Sequence, residues 1–345
     1  MRDTTRVMFN KMKADICLTY GIESVSDSFS ATPTVQQILV DKMVESIAFL
    51  QQINVVTVPE MEGQKVIGSV SPITGKRTDT IAGDRQTSDP LNLGTKDYKC
   101  YFTEYDVHIL YSTIDAWAKL NNLPTKFMDY VRLAIGHSKI RTGWRGTHAA
   151  AVTNSTTYPL GEDTNIGWNQ ILRNYNGGSQ MLSVGKADGK IRIGAGAGAD
   201  YPNLDAFAHD VKQLINPLHR ESGDLVAIIG DDLTSQDKAQ LYVAQGQTPS
   251  EKERIELATV NRTYAGLLSY QIPYFPSRGL MITSFDNLSI YQQEGKVRQH
   301  IIENPKRSRI EHFNSTNEAY VVEDEEKAAS VEFDNVQFWD GAAWV

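Results

Sequence analysis

Cysteine is almost missing from this 345-residue chain. Cys17 and Cys100 are its only two, too few for a disulfide framework or a thiolate metal site, and both read as packing residues. The seven histidines show no HxxxH or comparable ligand spacing, and none has a cysteine beside it, so no zinc site or activated thiol is assigned. Positive charge is also in deficit. With 34 Lys and Arg against 42 Asp and Glu, the net charge is −8, and a dedicated nucleic-acid binder would need the opposite balance to neutralise phosphates. An acidic wall around DNA, touching it only through local basic patches, is compatible with that charge. No apolar run reaches the roughly eighteen residues of a membrane span. Met1 to Asn10 lacks the apolar core of a secretory signal. Both absences point to a protein that folds and works from a cytosol, without a membrane partner.

What is present is enough apolar residue, 41%, to bury a full core in a chain above the usual size for one core, so two or three lobes are expected. Phe9, Met12, Ile16 and Tyr20 lie on one stripe of a helix from Thr5 to Tyr20, closed by Gly21. Glu23 to Thr34 holds four serines around Phe29 and reads as an accessible linker. A second helix is expected from Thr34 to about Gln52, with Val35, Leu39, Met43, Ile47 and Leu50 on its stripe. Strands follow at Ile53 to Pro59, Gln64 to Val70 and Tyr98 to Tyr111. Between the last two lies a polar stretch, Ser71 to Lys96, carrying Lys76, Arg77, Asp79, Asp84, Arg85 and Asp89. So long a connection is uncommon inside a compact domain, so the loop is either disordered or ordered against something outside the subunit.

Leu123 to Arg145 reads as a long helix with Phe127, Val131, Ala134 and Ile135 on one face; Gly136 weakens it slightly. Its cations, Lys126, Arg132, Lys139, Arg141 and Arg145, suit either DNA phosphates or a solvated face. After a polar, glycine-rich stretch, Asn203 caps a helix from Leu204 to Ile215. Asp224 to Gly230 is an apolar strand, helices are expected at Leu233 to Gln245 and Ser250 to Asn261, and strands at Leu267 to Ile272 and Leu280 to Ser284. This alternation suggests a separate α/β lobe. The last sixty residues are mainly strand-like.

Two motifs invite chemistry. Ile191 to Asp200 places Gly194, Gly196 and Ala199 in a GxGxxA pattern after a strand, but Tyr201 and Pro202 delay the helix that a phosphate-binding turn needs at once. A flexible hinge between lobes, Gly177 to Gly198, is the better reading. Asp231 and Asp232, with Asp224, resemble a magnesium cluster without the partners such a site requires; helix capping by Asp232 explains them more simply. No catalytic residue, cofactor or metal ligand is assigned.

Several ordered stretches resemble the major capsid proteins of Peduovirus-type contractile-tailed bacteriophages over nearly the whole chain. They include Thr5-Arg6 with Phe9-Asn10, Val58-Pro59, Tyr98-Lys99-Cys100, Tyr111 to Ala118, Gly167-Trp168 and Gly198 to Asp205. The most specific block is C-terminal: Ile272 to Pro276, Asn287 to Tyr291, Glu303 to Lys306 and Tyr320 to Asp324. The resemblance implies an α+β, Hong Kong 97-like phage capsid fold. Its parts would be an N-terminal scaffold-interacting segment (1–29), an N-arm with a helix (30–60), an extended β-hairpin loop with flanking strands (61–112), a peripheral domain with a long spine helix (113–203), an axial α/β domain (204–285) and C-terminal strands of the peripheral domain (286–345).

It further implies a virion subunit assembled in the bacterial host cytoplasm. Its partners would be copies of itself in pentamers and hexamers, scaffold, a maturation protease cutting near Phe29 and Ser30, portal, decoration proteins, and packaged double-stranded DNA held by non-specific contact. The loop charges from Lys76 to Asp89 would lie between subunits, and Arg132, Lys139, Arg141 and Arg145 would face the lumen. The rivals are an encapsulin-like compartment of the same fold and a nucleotide-dependent enzyme using the 191–200 turn.

Overall fold

A computed structural model of the chain describes residues 47–70, 75, 77–78, 81, 84, 91–117, 123–186, 188–245, 263–340 and 343–345, with Phe29, Ser30, Gln36, residues 40–44 and part of 6–17. The strands, in chain order, are β1 (Phe29–Ser30), β2 (Asn54–Val58), β3 (Glu62–Val70), β4 (Leu91–Lys99), β5 (Tyr101–Glu104), β6 (Val107–Leu110), β7 (Met181–Leu182), β8 (Ile191–Ile193), β9 (Val226–Ile229), β10 (Thr263–Tyr264), β11 (Leu267–Tyr270), β12 (Leu280–Thr283), β13 (Leu288–Gln293), β14 (Arg298–Asn304), β15 (Arg309–Val322), β16 (Ala329–Val331) and β17 (Val336–Phe338).

The 14-residue β15 is the axis of a seven-stranded sheet. β13 and β14 run antiparallel along it, as do β5 and β6, with β2 added parallel to β13 and β1 antiparallel to β14. Alternate residues of β15, Ile310, His312, Asn314, Thr316, Glu318, Tyr320 and Val322, are all buried, as one face of a pleated strand must be when a helix covers it.

That cover includes the 23-residue helix Leu123–Arg145. Its C-terminal half meets an aromatic cluster in which Trp144 lies 4.7 Å from Trp168, 4.9 Å from Phe275 and 5.5 Å from Phe49, while Trp168 stacks edgewise on Tyr320 and donates to the Ser289 carbonyl at 3.2 Å. Here the glycines of the helix find their reason. A Cβ at Gly143 would overlap the Trp168 ring and one at Gly136 would overlap Ile47, so residues that lower helix propensity are what let two aromatic layers and the 47–50 turn come close.

The second sheet has six strands in the order β10-β11-β9-β12-β16-β7. β9 (VAII) and β12 (LMIT) are buried on both faces, which is why they read as unbroken apolar runs rather than alternation. Val226, Ile228 and Met281 enter the aromatic core; Ala227, Ile229, Leu280 and Ile282 face Phe207, Ala208 and Val211 of helix Leu204–Gln213. Asn203 caps that helix by accepting from the Ala206 amide at 2.8 Å.

Several expectations need correction. The C-terminal run 286–345 divides: β13 to β15 lie in the seven-stranded sheet, whereas β16 pairs with β12 and β7, and β17 with β8. The single turn Glu325–Lys327, capped by Asp324, redirects the chain, and small apolar Ala328–Ala329 fit where it re-enters. The 191–200 segment is neither a nucleotide turn nor a loose hinge. A Cβ at Gly196 would overlap Trp339, Asp200 accepts from the amides of Lys186 and Arg192, and Trp344 donates to the Ala197 carbonyl, so the glycines make room for the C-terminal tryptophans. Asp232 is not a helix cap. It lies with Asp231 in the first turn of helix Asp231–Gln245, where a carboxylate suits the dipole, and faces Arg278 at 3.7 Å. The helix expected at 250–261 lies outside the described residues.

Replacing Gly143 with Ala tests the packing account. Propensity alone would stabilise the helix by about 1 kcal/mol, whereas overlap with Trp168 should dominate and destabilise the subunit by about 1–3 kcal/mol. Urea unfolding of the unassembled chain decides between the two signs.

Candidate assembly surfaces

β3 and β4 form a nine-rung antiparallel hairpin, from Glu62↔Lys99 to Val70↔Leu91, and among the described residues no third strand joins it. An isolated two-stranded ribbon is marginal in water, so its stability depends on contacts beyond its own ladder. Its base is attached. Tyr98 packs edgewise on Tyr291 at 5.1 Å and shields Gly63, where a Cβ would come within 2.6 Å of the Tyr98 hydroxyl. Cys100 is fully buried beside Val58, Ala319 and Val321, and burial pushes its thiol up to about 11, as befits a packing residue. Of the loop charges, Arg77 and Asp84 are exposed; Lys76, Asp79, Arg85 and Asp89 lie outside the described residues.

The cations of the long helix do not share one fate. Lys126 is exposed. Arg132 is half-buried and pairs with Asp129 at 2.8 Å. Arg141 is half-buried, and Arg145 lies over the Phe333 ring at 5.1 Å, its guanidinium pKa lowered by burial. Lys139 overturns the expectation made for it: at 2% exposure it faces the protein interior and is ion-paired with Glu318, itself fully buried. Position 139 falls on the side of the helix that faces β15, so it meets neither DNA phosphates nor solvent.

Glu318 collects more than the lysine. Tyr105, in the bend between β5 and β6, donates to its carboxylate; the Tyr320 hydroxyl lies 3.3 Å away; and Asn165 donates to its carbonyl at 2.9 Å. Burial and the neighbouring carboxylate push both tyrosines well above their usual range, so they remain hydroxyl donors. Next to this group is a cavity of about 80 Å³ lined by Met128, Val131, Ile135, Lys139, His312 and Thr316, among others. His312 is 1% exposed, neither ring nitrogen has a partner in the protein, and burial depresses its pKa to about 4.

The N-terminal residues that are described lie along β14. Phe29 and Ser30 pair with Gln299 and Arg298, and Arg6 reaches Glu303 at 2.8 Å. The expected open linker is therefore held, at Phe29–Ser30, in a β-ladder at the sheet edge; the rest of 23–34 lies outside the described residues. As for catalysis and metals, the described residues contain no group of three or more His, Cys, Asp or Glu placed to hold an ion. No described helix is long and apolar enough to cross a membrane.

Comparisons with known proteins agree with this architecture. The profile of a family described as "Phage major capsid protein, P2 family" matches residues 8–333. The capsid proteins of Escherichia phage P2 are 34% identical over 331 residues, covering 94% of this chain and 92% of theirs. The major capsid protein of Serratia phage KSP20 is 31% identical over 325 residues, covering 92% and 90%. Among solved structures, the satellite phage P4 procapsid that includes the size determination (Sid) protein matches with a TM-score of 0.69 at 31% identity, over 87% of this chain and 99% of that one. Mycobacterium phage Cain matches at 0.51 and 12% identity, over 84% and 89%, a likeness of fold.

Two outcomes follow from the buried polar groups. Lys139→Met should cost about 3–5 kcal/mol by stranding the Glu318 charge, and adding Glu318→Leu should recover most of it; a urea series on the single and double variants checks this. His312 stays neutral in the folded chain down to about pH 4 and takes the ordinary imidazole value of about 6.5 when unfolded, so the unfolded state binds more protons as pH falls from 6.5 to about 4. Stability should fall by about 3 kcal/mol across that window, and His312→Gln should flatten the slope.

Proposed function

The chain belongs to the P2 family of phage major capsid proteins, and we propose from that membership how its parts serve the shell. It is a virion component with the Hong Kong 97-like fold. Copies of the chain assemble as pentamers and hexamers that close an icosahedral head around double-stranded DNA. The observation that carries this reading is the β3–β4 hairpin, which has no third strand of its own among the described residues. Rings of five and six made from one sequence need heterologous, head-to-tail contacts, and an arm stabilised by its neighbour supplies one.

Residues 1–29 engage scaffold and are released by a maturation protease near Phe29 and Ser30. An extended strand at the edge of a sheet suits that step, since only one ladder must open to free it. The peripheral part comprises the seven-stranded sheet and the long helix, and the axial part the six-stranded sheet with its helices. Arg132, Arg141 and Arg145 are the lumen-facing candidates for contact with DNA phosphates; Lys139 is withdrawn from that set. Portal and decoration proteins complete the partners, assembly takes place in the bacterial host cytoplasm, and no catalysis is required of the chain.

Arg77→Glu and Arg85→Glu test the hairpin loop. Each should impair shell formation in coexpression with scaffold, seen by electron microscopy and sedimentation, while circular dichroism of the unassembled subunit stays unchanged. Normal shells from both would remove the loop charges from the assembly contact. DNA within particles, with no cargo protein, separates a phage head from an encapsulin-like compartment.

A further inference from the structure

Strand register puts two like charges face to face in the hairpin. Lys65 is directly opposite Lys96. Cross-strand partners share a face of the ribbon, and like charges in that position oppose pairing. Both ammonium groups are also partly desolvated. Burial lowers each lysine's pKa, and for Lys96 the charge of Lys65 is the next cause. Left to itself, this rung weakens the hairpin.

The turn that follows β15 offsets that cost. Lys65 Nζ donates to the carbonyls of Val322 at 2.6 Å and Glu323 at 2.7 Å and lies 3.4 Å from the Glu323 carboxylate; Lys96 is ion-paired with Glu325 and sits 4.7 Å over the Tyr175 ring. The same turn is fastened to the rest of the subunit. Asp324 lies 3.3 Å from His219, Glu326 accepts from Asn216 at 2.6 Å, and Lys327 meets Asp224 at 2.5 Å. Beneath the hairpin base is a cavity of about 210 Å³, bordered by Lys65, Lys96, Tyr98, Asn165 and Val322 among others. The lysine rung is therefore held by polar contacts beside a cavity, apart from the Tyr98–Tyr291 stack that packs the same base.

We propose that residues 323–327 form a latch, gripping a hairpin rung that would repel itself once released, so that the Glu323 and Glu325 carboxylates set whether the hairpin is docked or free. The latch acts within one subunit before any neighbour arrives, so it stands or falls separately from the assembly reading. Its output is the position of the hairpin base, the arm that reads as completed by something outside the subunit.

Hydrogen exchange on the full-length, unassembled chain tests it. Glu323→Gln with Glu325→Gln should speed exchange of amides 62–70 and 91–99 by about tenfold while β9 and β12 keep their protection. Adding Lys65→Met and Lys96→Met should restore most of it, because the rung no longer repels itself. The crossed comparison separates this from two ordinary ion pairs: Lys65→Met should also restore protection to Glu325→Gln, whose ion-pair partner is Lys96, because the repulsion needs both lysines, whereas independent pairs would be rescued only by their own partner. Unchanged exchange in the glutamine variant, or fast exchange that the methionines fail to reverse, overturns the latch. Should the double glutamine variant not fold, Glu323→Gln, whose side chain is 32% exposed, gives the crossed comparison with and without Lys96→Met.

Discussion

A lysine and a glutamate buried together, Lys139 on the long helix and Glu318 on β15, fix how the two largest elements of the subunit meet. Burying charge is costly, and neither group has water to fall back on. Sliding the helix by one turn, about 5.4 Å, would strand both, so the pair sets register more than it adds stability. Tyr105 and Asn165 converge on the same residue. The β5–β6 bend and the segment entering helix Trp168–Asn174 are thereby indexed to the same point.

With that register set, the remaining packing follows. Trp144, five residues beyond Lys139, reaches the aromatic layer only in this register, and Gly143 beside it gives Trp168 its space. The aromatic layer in turn receives one face of the six-stranded sheet through Val226, Ile228 and Met281, so the two sheets share a core instead of meeting at a hinge. Gly194 and Gly196, which by composition suggest mobility, lie against Trp339, and Trp344 donates to the Ala197 carbonyl between them and Gly198.

The parts legible in the sequence were those where polarity and burial agree. The Asn203 cap and the apolar runs of β9 and β12 rest on that agreement; on helix Leu123–Arg145 it fails in part, since Val131 of the expected apolar face is buried but Ala134 is exposed and Lys139 is buried. β15 is legible only at its end, from Ala319, because the rest of it breaks the rule. His312, Asn314, Thr316 and Glu318 alternate correctly for a strand, yet the buried set is the polar one, so a hydrophobicity pattern shows nothing. Lys139 was misplaced for the same reason, since a buried lysine cannot be told from an exposed one until its partner, 179 residues away, is in place. Glycine misled in the opposite direction. Its sequence pattern records that something comes close, but not whether that is a phosphate, a tryptophan or nothing. Of the polar stretch expected from Ser71 to Lys96, residues 91–96 belong to β4 and Lys96 reaches Glu325 of its own subunit, so its end is part of the fold; most of 71–90 lies outside the described residues.

A shell subunit has to be identical in sequence but not in surroundings, since five-fold and six-fold rings ask for different angles between neighbours. A close-packed body cannot supply that difference cheaply, because shifting a core of interlocked aromatics sacrifices contacts throughout it. The tolerance has to sit in elements with little buried area of their own, and the β3–β4 hairpin is such an element. Its inward-facing backbone groups bond across its own ladder, its base is held by the Tyr98–Tyr291 stack and by polar contacts around residues 323–325, and its far end carries charge of both signs. Polar contacts of that kind can be broken and remade at small net cost, since water takes the place of each lost partner. A body indexed by one fully buried ion pair and an arm whose half-buried lysines meet Glu323 and the buried Glu325 therefore differ in how much packing each must break to move.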